Sequence, residues 1–332
     1  MSSFFGLDIG LTQIKVMQAG KNNQDLTVEK FALVVETNPK NQAMAIKQAI
    51  KEAGIKGTAE ANVALAESEV YSKIIDTPKL SETELASSIQ YEAEQYIPMA
   101  LADVELFHQV LTIQEGVNEK MMKVLLIAVP KERINSLLNL VDQAGLIPRS
   151  LETELFSVKR LFSKEDKIQI LVNCGYRTTD LMILSKGIPV FNYGVNVGGL
   201  ALTKSLMNEL NLPADQAEEY KKTYGMRTDL LEGKVAKILT VVVDEIVSQT
   251  NKAIMFLQQQ GFNKPPEELV LVGGGALMPG LSAYLATKLN LEVVVGDPFA
   301  KFVKNENFKK LITQESNPQL AIVAGLALKG LV

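Results

Sequence analysis

Residues 5–16 read Phe5-Gly6-Leu7-Asp8-Ile9-Gly10-Leu11-Thr12-Gln13-Ile14-Lys15-Val16: an apolar strand, a carboxylate, a spacer, a glycine, a hydroxyl and a second strand. This order predicts a β-hairpin whose turn can meet phosphate. A glycine in the turn allows the backbone a φ above zero, which exposes N–H groups to an anion. The nearby Asp8 could hold a metal ion through water. A single hairpin of this kind is also ordinary β structure.

A second stretch repeats the design 165 residues later. It reads Ile170-Leu171-Val172-Asn173-Cys174-Gly175-Tyr176-Arg177-Thr178-Thr179-Asp180-Leu181, with a carboxamide in place of the first carboxylate. Two such turns, one in each half of the chain, indicate a cleft that clamps a nucleotide between two lobes.

A third segment, rich in glycine, joins a strand to a helix. It reads Glu268-Leu269-Val270-Leu271-Val272-Gly273-Gly274-Gly275-Ala276-Leu277-Met278-Pro279-Gly280-Leu281, with the helix starting near Pro279. Glycines would let a flat adenosine lie close to the backbone, and the helix N-terminus would favour negative charge. A tight strand-to-helix connection without a ligand explains the same pattern equally well.

The composition is that of a folded protein with two domains. Of the 332 residues, 47% are hydrophobic and 22% are charged, and the net charge is only −4. The chain is therefore long enough for two cores and unlike a disordered tail. Lys and Arg are interspersed with Asp and Glu, which argues against nucleic-acid binding because no basic stripe attracts a phosphate backbone.

The rarest residue types exclude several kinds of site. The single cysteine, Cys174, excludes an internal disulfide framework and a thiolate zinc site, and it fits a reducing compartment. The single histidine, His108, excludes metal centres built on paired imidazoles. The alternating pattern of residues 104–110 favours a solvent-facing strand position for His108 over a catalytic one.

Neither end of the sequence predicts a membrane segment. The start, Met1-Ser2-Ser3-Phe4, has no positive region, which argues against a secretory signal. The apolar tail 320–332 contains Lys329 and is well short of the roughly 20 residues that cross hydrocarbon. We therefore expect no direct membrane insertion, and any membrane association would come through a partner.

The pattern of strands and helices divides the chain into three parts. Residues 1–77, together with 149–165, form the predicted core of the first lobe, with a helix from Asn41 to Ala53 that ends at Gly54. A further helix, predicted from Glu152 to Phe162, links the halves. The strands of this part are expected near 3–9, 13–19, 25–35, 62–66 and 70–76.

The middle part, residues 78–148, reads as an inserted α-β-β-α subdomain. Ser81 and Glu84 form a capping box that opens a helix to about Tyr96. Strands near 103–113 and 120–129 follow, and a helix from Pro130-Lys131 to Ala144 ends at Gly145. The sheet edge or helix groove of this subdomain could receive a partner strand.

The last part, residues 166–332, repeats the plan of the first lobe and includes a mostly helical subdomain at about 205–260. A helix over 230–260 carries apolar residues at helical spacing, which we interpret as a core face. A closing helix from Pro318 to Leu331 is rich in Ala and Gly, so it can pack closely. The other predicted elements are strands near 167–173, 178–185 and 188–195 and helices near 199–210 and 215–223.

These features together resemble the actin-like ATPase superfamily, whose α/β, ribonuclease H-like fold has two lobes. The inserted subdomain is similar to that of cell-division protein FtsA and of the PilM family of type IV pilus assembly proteins. The similarity to the PilM family is carried by Glu92–Met99, Asp103–Leu106, Val129-Pro130-Lys131 and Ala144-Gly145-Leu146.

The resemblance implies a site for ATP and Mg²⁺. Asp8 would lie near the magnesium ion, bound through water, and would be catalytic together with Glu152, for which a charged residue at a helix start is the alternative. For Glu218 and Lys221, implied to grip ribose and base, a solvated pair on a helix face is the alternative. The implied phosphate-loop residues are Asp8, Gly10, Thr12 and Lys15 in the first lobe and Asn173, Gly175 and Thr179 in the second, and adenosine would lie against Gly273, Gly274, Gly275 and Met278.

One residue departs from the pattern of the superfamily. The second phosphate loop usually carries Asp where this chain has Asn173. A carboxamide accepts a hydrogen bond, but it cannot supply charge to magnesium or act as a base. We therefore expect nucleotide binding with at most weak hydrolysis.

The resemblance also implies a partner and a place of action. It predicts a cytoplasmic scaffold at the inner face of the membrane that binds the cytoplasmic N-terminal peptide of PilN, and indirectly the pilus inner-membrane complex and the assembly ATPases. Residues that could line the peptide site, or pack in the core instead, are Tyr91, Tyr96, Ile97 and Met99. The alternative functions are a small-molecule kinase of the same superfamily, for which no acceptor motif is evident, and an FtsA-like cell-division or filament protein.

Overall fold

The computed structural model describes residues 3–115, 120–259, 262, 264–312 and 317–332. Within them the strands are β1 (Phe5–Ile9), β2 (Gln13–Asn22), β3 (Asp25–Val35), β4 (Glu60–Leu65), β5 (Tyr71–Pro78), β6 (Val104–Glu115), β7 (Lys120–Pro130), β8 (Ile147–Thr153), β9 (Ile168–Cys174), β10 (Thr179–Ser185), β11 (Ile188–Val195), β12 (Glu268–Val272) and β13 (Glu292–Val295). The helices are α1 (Gln42–Ala53), α2 (Glu82–Tyr96), α3 (Lys131–Gln143), α4 (Glu154–Phe162), α5 (Gly199–Leu210), α6 (Ala214–Tyr224), α7 (Lys234–Gln259), α8 (Leu281–Leu289), α9 (Glu306–Leu311) and α10 (Ala321–Leu328).

Two five-stranded sheets follow the same plan. The first lobe is built on the order β3-β2-β1-β4-β8 and the second on β11-β10-β9-β12-β13. In each sheet the first three strands along the chain pair antiparallel, the fourth pairs parallel to the first, and the fifth pairs parallel to the fourth. The predicted duplicated, two-lobed α/β architecture is confirmed.

Strand β8 departs from the sequence-based prediction. We predicted a helix from Glu152, but Glu152 belongs to β8, which pairs parallel to β4, and helix α4 begins at Glu154. The second residue of β8 is Pro148, which a strand tolerates at the edge of a sheet because its missing N–H faces no partner strand. Pairing with β4 therefore decides this conformation. The short β13 and α9 were also not predicted, since four or six residues carry too little periodicity.

A third sheet, the insertion sheet, has the strand order β5-β7-β6. The segment 78–148 contains the predicted order α2, β6, β7 and α3. The sheet takes its third strand, β5, from residues before that segment. At the other end, α3 turns back to the first lobe, where its buried Val141 packs in the core of that lobe.

Helix α2 covers one face of the insertion sheet. Its start has the predicted capping box, in which Ser81 Oγ accepts from the Glu84 N–H and the Glu84 carboxylate accepts from the Ser81 N–H. Leu85, Ile89 and Ala93 recur at helical spacing and are buried against the sheet with Val124. The apolar face of α2 therefore gives the insertion sheet a core of its own.

Helix α10 closes the molecule, and all eight of its residues are buried. It packs between β1 and α4, where small residues allow close approach. A Cβ on Gly325 would lie 2.1 Å from the carbonyl oxygen of Ser157 in α4, so only glycine fits this position. The predicted tight packing of the last helix is thereby confirmed.

One hydrophobic cluster joins the two lobes. It combines Met17 of the first sheet and Leu171 of the second with Leu155 of α4, and all three side chains are fully buried. Full burial of a side chain of this size contributes about 1.5–3 kcal/mol. The lobes are thus held together by a shared core.

Helix α7, with 26 residues, is the longest in the described part of the chain. It starts at Lys234 after a short 3₁₀ turn, four residues later than predicted, and the predicted end at residue 260 lies outside the described residues. No helix among the described residues combines the length and the apolar character that a bilayer crossing requires.

Candidate functional site

The two hairpin turns make the same backbone contact. The Gly10 N–H donates to the Gln13 carbonyl at 2.9 Å, and the Gly175 N–H donates to the Thr178 carbonyl at 2.9 Å. Neither glycine has a positive φ, so that part of the prediction is wrong. Glycine is favoured here because an added Cβ would lie 2.9 Å from the Gln13 oxygen and 3.1 Å from the Thr178 oxygen.

Behind each turn, the register brings two polar residues together across the hairpin. In the first lobe Asp8 pairs with Lys15, whose ammonium lies 2.8 Å from the carboxylate, and both are buried. In the second lobe the equivalent register pair is Asn173 and Asp180, also buried. The carboxylate of the pair therefore lies on the first strand of the hairpin in the first lobe (Asp8) and on the second strand in the second lobe (Asp180).

Asn173 contacts the first residue of α4. Its side-chain amide donates to the Glu154 carboxylate at 3.0 Å. Burial, and then the charges of Asp180 and Asp8, raise the pKa of Glu154 well above its usual value. Since Asp8 belongs to the first lobe and Asp180 to the second, both lobes act on one carboxyl group.

Two further carboxyl groups complete an acidic cluster, which we define as Asp8, Glu67, Glu154 and Asp180. Burial raises the pKa of Asp180 to about 8, helped by the charge of Glu67. One carboxylate oxygen of Asp180 is buried without a hydrogen-bond partner. Burial also raises the pKa of Glu67 to about 7, although the Leu155 N–H donates to this carboxylate at 3.3 Å.

The sequence-based prediction included Asp8 and missed the other three members. Asp180 could have been found, because it stands at the position of Lys15 in the repeated hairpin design. Glu67 and Glu154 carry no comparable sequence signal. Their role follows from burial and from charges that only the folded chain brings together.

The charge of the acidic cluster calls for a cation. With every group ionised, four carboxylates and Lys15 carry a net charge of −3, which is costly in a partly buried cleft. Among the described residues no three His, Cys, Asp or Glu side chains are arranged to hold a metal ion directly. The carboxylates of the cluster can accept hydrogen bonds from the waters of a hydrated Mg²⁺ ion, which keeps several waters and takes phosphate oxygens as ligands.

The glycine-rich loop after β12 packs against the second hairpin. Gly273 has a φ of +85°, and a Cβ there would lie 2.5 Å from the Cys174 carbonyl oxygen. A Cβ on Gly275 would lie 2.6 Å from Cys174 Cβ, whereas one on Gly274 would meet no atom within 4 Å. Met278 is buried at the end of this loop. Two of the glycines thus serve packing, and Gly274 faces open space.

The threonines of the turns differ in accessibility. Thr12 is partly exposed in the first turn, whereas Thr179 is fully buried and donates to the Val197 carbonyl at 2.8 Å. The neighbouring Thr178 donates to the Asp180 carboxylate at 3.3 Å. In the second turn, the hydroxyl that reaches the acidic cluster is therefore that of Thr178.

Glu218 and Lys221 form the expected i,i+3 pair on α6, and they are tied to α5. The Lys221 ammonium donates to Glu218 at 2.6 Å, to the Thr203 hydroxyl at 2.9 Å and to the Gly199 carbonyl at 3.1 Å. Burial lowers the pKa of Lys221, and the pKa of Glu218 is also lowered because hydrogen bonds from Lys221 and Thr203 outweigh its burial. Gly199 N–H in turn donates to the Gly175 carbonyl at 3.0 Å, which connects this pair to the second turn.

Glu152 lies outside the acidic cluster. Its carboxylate accepts two hydrogen bonds of 2.8 Å from Arg160 and lies 2.8 Å from the Lys329 ammonium. These partners lower the pKa of Glu152 against its burial. The geometry therefore favours Glu154, two residues later, as the carboxyl group that meets a ligand in the cleft.

A cavity of about 510 Å³ lies where the insertion sheet meets β11 of the second lobe. Tyr96 and Ile97 at the end of α2 line it, together with Tyr193 of β11 and Glu67 of the acidic cluster. The Asn192 side chain donates to Ser72 Oγ at 2.5 Å and joins the two sides. The other two residues predicted to bind a peptide, Tyr91 and Met99, are 66% and 37% exposed and do not line this cavity.

Comparison with known proteins identifies a family over almost the whole chain. The family model described as type IV pilus assembly protein PilM matches residues 6–331. Cell division protein FtsA of Borreliella burgdorferi is 24% identical over 188 residues, which cover 50% of this chain and 46% of that protein. The chain thus spans about half the length of this curated relative.

Solved structures share the fold. A PilM–PilN type IV pilus biogenesis complex superposes with a TM-score of 0.84 at 24% identity, covering 100% of this chain and 99% of the other. Ethanolamine utilization protein EutJ from Carboxydothermus hydrogenoformans gives 0.56 at 17% identity, with 98% and 88% covered. MreB5 of Spiroplasma citri bound to ADP gives 0.53 at 15% identity, with 97% and 94% covered. The predicted actin-like fold is confirmed.

Proposed function

The chain belongs to the type IV pilus assembly protein PilM family, and on that premise we propose that it is an actin-like scaffold that binds ATP with Mg²⁺ and docks a PilN peptide. The peptide is the cytoplasmic N-terminal segment of that inner-membrane protein, so the scaffold works at the inner face of the membrane through its partner. The pilus inner-membrane complex and the assembly ATPases are reached indirectly.

The observation that carries the nucleotide part is the acidic cluster between two equivalent turns. Thr12 would offer its backbone N–H and its hydroxyl to the phosphates, Gly10 and Gly175 would keep the two turns tight enough for the phosphates to approach, and Lys15 would neutralise phosphate charge. Asp8 and Asp180 would accept hydrogen bonds from waters of the Mg²⁺ ion, which supplies the positive charge that the cluster lacks. Gly274 and Met278 would border adenosine, and Glu218 with Lys221 would hold ribose and base.

The same geometry supports binding more than hydrolysis. A group that activates water for attack on phosphate must accept a proton, and Asn173 cannot. Glu154 is the carboxyl group that Asn173 contacts, but burial and the charges of Asp180 and Asp8 raise its pKa well above the usual value, which opposes its ionisation. We therefore propose an ATP-dependent closure of the two lobes with slow turnover.

The cavity beside the insertion sheet supports the docking part. It offers aromatic rings of Tyr96 and Tyr193, the apolar Ile97 and the amide of Asn192, which suit the side chains of an extended peptide. The Lys73 ammonium lies over the Tyr96 ring and holds it in place. A PilN peptide would enter between the insertion sheet and the second lobe.

Peptide binding is tested with a fluorescent peptide that carries the first residues of the PilN of the same organism. Anisotropy titration should saturate with the unaltered chain, and Tyr96→Ala should weaken binding at least tenfold because it removes a lining ring. The matched control is Tyr91→Ala, which removes an exposed ring outside the cavity. Equal affinity of both variants would contradict this docking site.

Nucleotide binding is tested separately by thermal unfolding. ATP with Mg²⁺ should raise the melting temperature of the unaltered chain, and Asp8→Ala should abolish the rise. The absence of any shift in the unaltered chain would refute nucleotide binding and leave the peptide result unaffected.

A further inference from the structure

A second cavity, which we call the basic cavity, is lined by no residue of the acidic cluster or of the two phosphate-type turns. Its volume is about 390 Å³, and it is enclosed by three parts of the molecule. Gln109 comes from β6 of the insertion sheet, Ile188 from the start of β11 in the second lobe, and Lys159 from α4 of the first lobe. Any occupant would contact all three parts at once.

Two of the cations in the basic cavity are held by one carboxylate. Glu152 is 9% exposed at its side chain and binds Arg160 through both oxygens, each at 2.8 Å. The Lys329 ammonium lies 2.8 Å from the same carboxylate. Arg160 also donates to the Gly325 carbonyl at 2.9 Å. These bonds fix the positions of two positive groups before any ligand arrives.

Lys159 is the cation without a counter-charge. In the described part of the chain its ammonium has no hydrogen-bond acceptor and no carboxylate within ion-pair distance, although the residue is only partly exposed. Burial, and then the charge of Arg160, lower its pKa. Three cations and one carboxylate leave the lining with a net charge of +2, which is opposite in sign to the acidic cluster.

The remaining walls set the size and shape of an occupant. Phe156, Ile188 and Pro189 provide apolar surface, and Gln109 provides an amide that can donate or accept. A volume of this size lies at the lower end of the range for small-molecule sites. Spare N–H donors of Lys159 and Lys329 match the oxygens of a carboxylate or a phosphate.

We propose that the basic cavity binds a small oxyanion, a molecule with carboxylate or phosphate groups, which is separate from the nucleotide in the cleft. The anion supplies the charge that Lys159 lacks and bridges the insertion sheet to both lobes. Its binding fixes the orientation of the insertion sheet, which carries half of the proposed peptide cavity. The molecule therefore has a second small-molecule site, besides the proposed nucleotide site, whose occupancy acts on the insertion sheet.

The test is calorimetric titration of the full chain with inorganic phosphate and with succinate at constant ionic strength, with chloride as the reference anion. At least one of the two probes should bind saturably, and the tighter one identifies the preferred chemistry. Lys159→Met keeps the apolar stem and should weaken binding at least tenfold. The matched control, Lys56→Met, makes the same charge change at an exposed lysine of the first lobe and should bind as the unaltered chain does.

A second variant keeps the test informative if Lys159→Met fails to fold. Gln109→Glu changes an exposed strand residue and introduces a carboxylate beside Lys159. It should abolish binding of both probes and raise the melting temperature measured without them, because the new side chain acts as a built-in occupant. Saturable binding by neither probe, or undiminished binding by both variants, would overturn the proposal.

Discussion

The side-chain amide of Asn173 lies 3.0 Å from the carboxylate of Glu154 and donates a hydrogen bond to it. This contact joins the second phosphate-type turn to the start of α4, the helix that links the lobes. An aspartate at residue 173 would add a carboxyl group beside Glu154, whose pKa is already raised by burial and by Asp180 and Asp8. The carboxamide instead brings no charge to this position and donates a hydrogen bond to Glu154.

Asn173→Asp should destabilise the chain in the absence of metal and nucleotide. The change replaces a hydrogen-bond donor with a fifth carboxyl group in a partly buried acidic cluster, and we expect a loss of about 1–3 kcal/mol at pH 8. Chemical denaturation with and without Mg²⁺ and ATP measures it, and the ligands should recover most of the loss. Asn22→Asp, the same change at an exposed residue, is the control. Equal stability of the two variants would contradict this reading of the contact.

The stability of the unliganded chain should fall as pH rises. The pKa values of Glu67 and Asp180 are raised on folding, from 4.5 to about 7 and from 3.8 to about 8. The folded state therefore binds more protons than the unfolded state between about pH 4 and pH 8. This stabilising contribution is complete below about pH 4 and is lost as pH rises through the folded-state pKa values.

Denaturation curves between pH 5 and pH 9 measure this dependence. Mg²⁺ with ATP should flatten it, since a cation favours the ionised carboxylates. Asp180→Asn should also flatten it, because the substitution removes one of the titrating groups. A stability that stays level from pH 5 to pH 8 in the unliganded chain would exclude the raised pKa values.

Two neighbouring glycines should respond in opposite ways to the same substitution. Gly274→Val adds a side chain into open space and should leave the melting temperature of the unliganded chain within a few degrees. Gly273→Val forces a β-branched side chain into a positive φ against Cys174 and should unfold or strongly destabilise the second lobe.

Thermal unfolding with and without Mg²⁺ and ATP separates these two effects. If adenosine lies along the loop, Gly274→Val should also abolish the rise in melting temperature caused by ATP. A normal rise in Gly274→Val would mean that the nucleotide does not lie against this loop.

Leu155→Ala should show that the lobes share one core. Leu155 is fully buried between residues of both sheets, so we expect a loss of about 2–5 kcal/mol in the free energy of unfolding. Val241→Ala, at a 76% exposed position of α7, should change stability by less than about 0.5 kcal/mol. The expected transition of Leu155→Ala is a single one at lower denaturant; separate transitions for the two lobes would argue against a shared core.

Local patterns in the sequence predict most of the elements correctly. The two hairpins, the capping box of α2 and the strand before Gly273 each depend on residues close together in the chain, so their signals are complete in the sequence. Strand β8 was missed because its conformation depends on pairing with β4, about 90 residues earlier. Strand β5 was assigned to the first lobe because its sequence does not reveal that its partner is β7.

The residues of the candidate site divide in the same way. The motif occurs twice, so each of its positions in one lobe can be matched to a position in the other. This match is enough to select Asp8, Gly10, Lys15, Asn173 and Gly175 from the sequence. Glu154 could not be distinguished from Glu152 in the sequence, since both are glutamates near the start of one helix. Only the fold directs Glu152 to Arg160 and Lys329 and directs Glu154 to Asn173.

By itself, the sequence determined the duplicated α/β plan, the family and the glycine turns. Each of these features depends on residues that are close together in the chain, so it can be recognised without knowledge of the fold. The tertiary structure alone decided which carboxyl groups share the cleft, which pKa values are raised and where two cavities form. These properties arise from burial and from charges that meet across the two lobes and the insertion sheet. Both depend on packing between residues that are far apart in the chain.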